Sequence, residues 1–221
     1  MREPSSRFLA LLGGDESAME LDEAAMEVAA LDHGDLARQA VFRQLDIWAR
    51  RVRAVAGEAA RGAVLLHAVN HVLFEEEKLQ GDREDYYSPA NSCIDMVMAR
   101  RKGLPITLSV ICIEVARRAG LPLSGVNLPG HFICRYDDEE GIRVMVDPFN
   151  GGRLLTEDDC LRLAQEATGA VLPPVEALFA PAPKSRIIGR MLNNLHGAYW
   201  RRGDIDKAVE VAHWLRMAAR G

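Results

Sequence analysis

Two residues of this chain have the types and the setting for proton-transfer chemistry. His131 opens the apolar run HFICRY, and Asp147 closes the run VMVD just before a proline. An imidazole beside a carboxylate is the base and orienter of a nucleophilic site, lacking only the group that attacks. That group is best placed at a helix N-terminus, where the dipole lowers a thiol's pKa. The apolar helix that precedes these two runs follows Gly103 and reads LPITLSVICIEVARR. It opens on Pro105 and Ile106, and neither can attack anything.

Other residues compete for the missing role. Cys93 falls in the first turn of a helix expected to start near Asn91, and Thr107 lies in the first turn of the apolar helix. Asn91, Pro105 and Ile106 are the expected lining of the reactive corner. The ordinary use of a cysteine in such a place is inert and buried, and that of a threonine is capping or back-bonding. Cys112 and Cys134 lie inside apolar runs and read as core thiols. His67, His71 and Glu75 share one helix face by their i, i+4, i+8 spacing. Ala68 stands where an HExxH motif needs its Glu, so the face reads as solvated and no metal is expected. No motif calls for a cofactor. Glu114 sits in the middle of an apolar helix and needs a cation, either Arg117 or Arg118, or the Arg83 and Arg135 region.

The elements that must hold these residues follow from periodicity. Helices are expected over about 16–31, 35–56 and 58–79, with Asp32 and Asp35 as caps and Gly57 as a break. After a polar loop at 80–89 a short helix runs from about 91 to 102 and ends at Gly103. The apolar helix covers about 104–119. Strands are expected at 123–127, 131–136 and 142–147, the last two joined by a turn at 137–141. Thr156 and Asp159 have the spacing of a capping box for a helix reaching Gly169. Pro173, Pro174, Pro181 and Pro183 mark a linker. The residues from 185 onward form a helix–turn–helix with tetratricopeptide-like spacing, and Leu192, Leu195, Tyr199, Ile205, Ala208 and Leu215 should make its apolar strip. The organisation expected is a helical region at 1–80, a core at 81–172 and one helix pair at 185–221.

The 221 residues carry 27 basic and 32 acidic side chains, a net charge of −5, and this argues against a nucleic-acid partner. No apolar run reaches the length of a membrane span, and the N-terminal apolar run is shorter than a signal peptide's, so the expected compartment is the cytoplasm. The four cysteines form no CxxC pair and read as reduced thiols.

The motifs NHVLFEE, GDREDYYSPANS, RRKGLPITLSV, EVARRAGLPL, LPGHFICRY and DPFNGG recur in order, and with them the chain resembles the bacterial SirB-type transglutaminase-like proteins. The resemblance covers residues 70–155 and the tail. It implies an α+β fold of the papain-like superfold, in which a mostly helical N-terminal half packs on a small antiparallel sheet, followed by tetratricopeptide-like helices. It also implies that His131 and Asp147 are the triad base and acid, and that the nucleophile position, counted back from Gly120, falls on Pro105. The resemblance carries no activity with it. The expectation is therefore a non-catalytic interaction or regulatory protein, with a protein partner or a second copy held through the C-terminal helices. The competing expectation is an amide hydrolase or acyltransferase using Cys93 or Thr107 with His131 and Asp147.

Overall fold

The computed structural model describes residues 3–34, 37–138, 140–169, 172 and 174–218. Its first half is helical: α1 (Ser6–Leu12), α2 (Leu21–His33), α3 (Arg38–Ala56) and α4 (Gly62–Asn70). A wider π-type turn, His71–Glu76, extends α4. Then come β1 (Gln80–Gly81), α5 (Ile94–Arg100), β2 (Lys102–Gly103) and α6 (Pro105–Arg118). Strands β3 (Ser124–Val126), β4 (Ile133–Asp137), β5 (Arg143–Asp147) and β6 (Arg153–Leu155) make an antiparallel sheet in that order. Helices α7 (Glu157–Thr168), α8 (Val175–Leu178), α9 (Lys184–Arg202) and α10 (Ile205–Ala218) complete an α+β fold.

Helix α6 is the centre. Every residue from Pro105 to Ala116 is buried, as its all-round apolar sequence requires. Leu104 caps it in an extended conformation, and Pro105 starts it where a missing N–H costs nothing. It packs against β4 and the 148–150 turn on one side and against α2, α3 and α4 on the others. The charged residue in its buried stretch, Glu114, is 1% exposed and bonds Arg117 at 2.8 Å and also Arg118. Arg118 extends the network to Asp22 and Asp46. Arg83 and Arg135 are engaged elsewhere, on Asn150 and Asp137.

Several sequence boundaries move. Helix α2 starts at Leu21, where Glu20 and Glu23 form a capping box, and it runs on to His33. Asp32 is therefore inside that helix and caps nothing, while Asp35 lies outside the described residues. Residues 58–61 stay out of α4. Arg101, not Gly103, takes the left-handed turn after α5, at φ 61°. Gly103 is spent on a close approach instead: a Cβ there would meet Val97 at 2.7 Å, and residues 102–103 pair in parallel with 80–81. The expected linker is docked rather than free, since it carries α8 with Leu178 and Phe179 buried; Pro173 lies outside the described residues.

One apolar cluster runs from Phe8 through α6 to Trp214. The tail shares this core with the rest of the chain. Leu192, Leu195, Tyr199 and Ala208 are buried as expected, but Ile205 is 48% exposed, and Val211 and Trp214 fill the strip in its place. Ile205 opens α10 on the outward side of the turn, which is why the periodicity misplaces it.

Candidate functional site

The sheet brings His131 and Asp147 together. His131 precedes β4 and Asp147 ends β5, and the β4–β5 register pairs Cys134 with Val146, so the loop just before β4 and the end of β5 meet at one end of the sheet. His131 Nε2 lies 2.9 Å from Asp147 Oδ2, with side-chain exposures of 13% and 1%. The ring N–H does not point along that line, so this is a close polar contact rather than an aligned hydrogen bond.

Asp147 has a second task. Its Oδ1 accepts from the backbone N–H groups of Phe149 (3.1 Å) and Asn150 (3.2 Å), and Oδ2 accepts from Asn150 Nδ2 at 2.6 Å. It thus caps the 148–150 turn. Burial pushes its carboxyl up, but His131 and the Asn150 bonds outweigh this and hold the pKa below the ordinary carboxylate value. Phe149 meets the His131 ring edge-on at 6.1 Å, Tyr86 meets Phe149 at 6.0 Å, and Arg83 covers Phe149 at 5.1 Å. This aromatic wall comes from two distant segments, and no local pattern in the sequence marks it.

The structure holds the alternative nucleophiles in other contacts. Thr107 is buried and its hydroxyl donates to the Asn91 carbonyl at 2.8 Å. Asn91 is the joint of this corner: its Nδ2 donates to the Asp85 and Tyr86 carbonyls and its Oδ1 accepts from Arg100. Pro105 and Ile106 are buried at the start of α6. The Cys93 thiol is fully buried and donates to the Pro89 carbonyl at 3.5 Å. It precedes α5 as its cap rather than sitting in its first turn, because Asn91 belongs to a separate 3₁₀ turn. Its neighbours are Asp32 and His33, whose ligand-type atoms lie with its sulfur within 4.8 Å of one another. Burial, together with the charges of Asp32 and Asp95, pushes the Cys93 thiol well above its ordinary pKa. Cys134 and Cys160 are also raised by burial, Cys160 to about 12. Among the described residues no thiol or hydroxyl hydrogen-bonds the His131 ring.

His33 is held between two carboxylates, with Nδ1 2.9 Å from Asp32 and Nε2 2.7 Å from Asp95. Asp32 also accepts from the Tyr199 hydroxyl and lies 3.4 Å from Lys207 Nζ. With both ring nitrogens engaged and a lysine alongside, the cluster ties α2 and α5 to the tail. His71 bonds Glu75 and Glu76, and His67 stands apart from them on the surface.

The model of the transglutaminase-like superfamily matches residues 39–193. A UPF0162 protein of Xylella fastidiosa (strain Temecula1) is 37% identical over 201 residues, which is 90% of this chain and 71% of that protein. F-box only protein 21 of Mus musculus is 33% identical over 154 residues, covering 66% of this chain but 23% of its own length. Protein SirB1 of Salmonella typhimurium is 27% identical over 126 residues, 55% of this chain and 45% of that protein. No solved structure matches the chain significantly. No described helix is long and apolar enough to cross a membrane. This chain belongs to the transglutaminase-like superfamily, in the company of the bacterial UPF0162 and SirB1 proteins.

Proposed function

We propose that this protein works by binding rather than by acyl transfer, as a transglutaminase-like domain whose core helix opens without a nucleophile. The carrying observation is the corner itself: Pro105 and Ile106 open α6, and no described thiol or hydroxyl bonds His131. Acyl transfer needs a nucleophile within hydrogen-bond reach of its base. Here Asp147 is instead spent on the 148–150 turn. The tail is the partner-facing element of this reading, with a protein partner or a second copy as its occupant and a tetratricopeptide-like helix pair as its form. Trp200 is 62% exposed, and Ile205 and Val209 stand out on α10. Four unpaired, buried thiols support a reducing cytoplasm as the compartment.

The test joins chemistry to reactivity. Incubation with a glutamine peptide and a primary amine should give no product above buffer. Iodoacetamide should label native Cys93 no faster than Cys112, Cys134 or Cys160. Rapid labelling of Cys93, with turnover that His131→Ala abolishes, would return the protein to the enzymes.

A further inference from the structure

The loop that leads into His131 forms one wall of a second recess, and α9 forms the other. The recess is an open cleft of about 480 Å³ lined by Asn127, Gly130, Ser185, Arg186, Arg190 and Asn193, among others. Its lining contains two arginines and no carboxylate.

Arg190 is the more telling of the two. It is partly buried, and its guanidinium lies over the Phe132 ring at 5.7 Å. Its Nη1 donates to Asn127 Oδ1 and to the Leu128 carbonyl at 3.0 Å. The donors on Nη2 and Nε have no acceptor among the described residues, and no described carboxylate neutralises the charge. Burial pulls its pKa down from the ordinary value, though a guanidinium stays charged at neutral pH. Arg186 stands one helical turn earlier on α9, exposed and without an ion pair among the described residues. Like charges at i and i+4 repel. A partly desolvated cation with no counter-ion, one turn from a second cation on the same wall of the cleft, is unfavourable unless an anion completes the arrangement.

The helix N-terminus is not what would hold that anion. Glu16 already accepts from the Lys184 and Ser185 N–H groups, at 2.5 and 3.1 Å. The free donors are the guanidiniums, the Asn amides and the Ser185 hydroxyl. They outnumber what a carboxylate's two oxygens accept, and guanidinium forks match phosphate oxygens two at a time. The cleft has room beyond one phosphate for a small organic body.

We propose that this cleft is a binding site for a small molecule bearing a phosphate group, held by Arg186 and Arg190 with Asn127, Ser185 and Asn193. The site is independent of whether His131 takes part in catalysis. Gly189 supplies a clean way to close it. It lines the cleft within α9, and a Cβ built there meets nothing within 4 Å. A larger side chain would project into the cleft and favour the helix.

The experiment is a calorimetric titration of the full chain with inorganic phosphate, and with acetate at matched ionic strength. Wild type should bind phosphate saturably and more tightly than acetate. Arg186→Gln and Gly189→Leu should each weaken phosphate binding by about tenfold or more, a difference well outside measurement error. Arg43→Gln, an exposed arginine on α3, should bind as wild type. Circular dichroism checks that each variant is folded. The proposal is overturned if wild type shows no saturable phosphate binding, if acetate binds as well, or if folded Gly189→Leu and Arg186→Gln both bind as wild type does. It is equally overturned if Arg43→Gln weakens binding as much as they do.

Discussion

Replacing Asp147 by Ala should destabilise the protein more than replacing His131. The carboxylate is 1% exposed and accepts from Phe149 N–H, Asn150 N–H and Asn150 Nδ2, besides its contact with His131. Asn150 is exposed, so its donors can turn to water, but Phe149 is 9% exposed and its N–H is left without a partner. A buried donor left unmade costs about 1–3 kcal/mol. Loss of the second capping bond, from the Asn150 N–H, adds about 1 kcal/mol. The expected total is about 2–4 kcal/mol. His131→Ala removes one contact and leaves Asp147 three donors, so it should cost only about 1–2 kcal/mol. Urea unfolding followed by circular dichroism reads both, and at an m-value near 2 kcal/mol/M the Asp147 variant should lose roughly 1–2 M in midpoint. The double variant should cost less than the sum of the singles, because they share a contact. The pH dependence has a sign. A carboxyl with a lowered folded pKa contributes stability above its unfolded value, near 3.9, and that contribution is lost as pH falls through the folded pKa. If Asp147→Ala unfolds at the wild-type midpoint, or no lower than His131→Ala, the capping account is wrong.

Three further outcomes follow from other contacts. Trp214→Ala should cost about 3–5 kcal/mol, since the indole is fully buried and meets Phe8 edge-on at 5.2 Å; thermal unfolding should stay one transition at lower temperature, and a separate early melting of the tail would contradict the shared core. His33 is pulled down by burial but raised on balance by Asp95 and Asp32, so its contribution is complete below about pH 6.5 and fades as pH rises through the raised value; the stability gap between wild type and His33→Gln should therefore narrow from pH 6 to pH 9, and a gap that widens refutes the clamp. Protein purified without chelator or tag should hold far less than one equivalent of zinc, because Lys207 and two carboxylates already satisfy the Asp32–His33 cluster; one tightly held equivalent by elemental analysis would make Asp32, His33 and Cys93 a metal site.

Local and repetitive features were legible in the sequence. The Thr156–Asp159 capping box depends on residues three apart, and both of its bonds are present. The largely apolar helix at 105–118 and the strands β3 to β5 follow from side-chain patterns that any short window displays. The recurring motifs placed His131 and Asp147 at neighbouring strand ends, and Glu114 announced its need for an arginine by sitting in an apolar run. Tertiary structure decided everything that joins distant segments. Strand β6 and the two-residue β1–β2 ladder were not expected from the sequence, and they form where partner strands are held beside them. Cys93 lies within 4.8 Å of the ligand atoms of Asp32 and His33, about sixty residues away, so its spacing to His131 could not reveal that neighbourhood. Arg190 reaches the loop before His131 across 62 residues of chain. Sequence patterns report which face a residue presents within its own element; which charges remain unpaired is settled only when the elements pack and each cation finds, or fails to find, a carboxylate in reach.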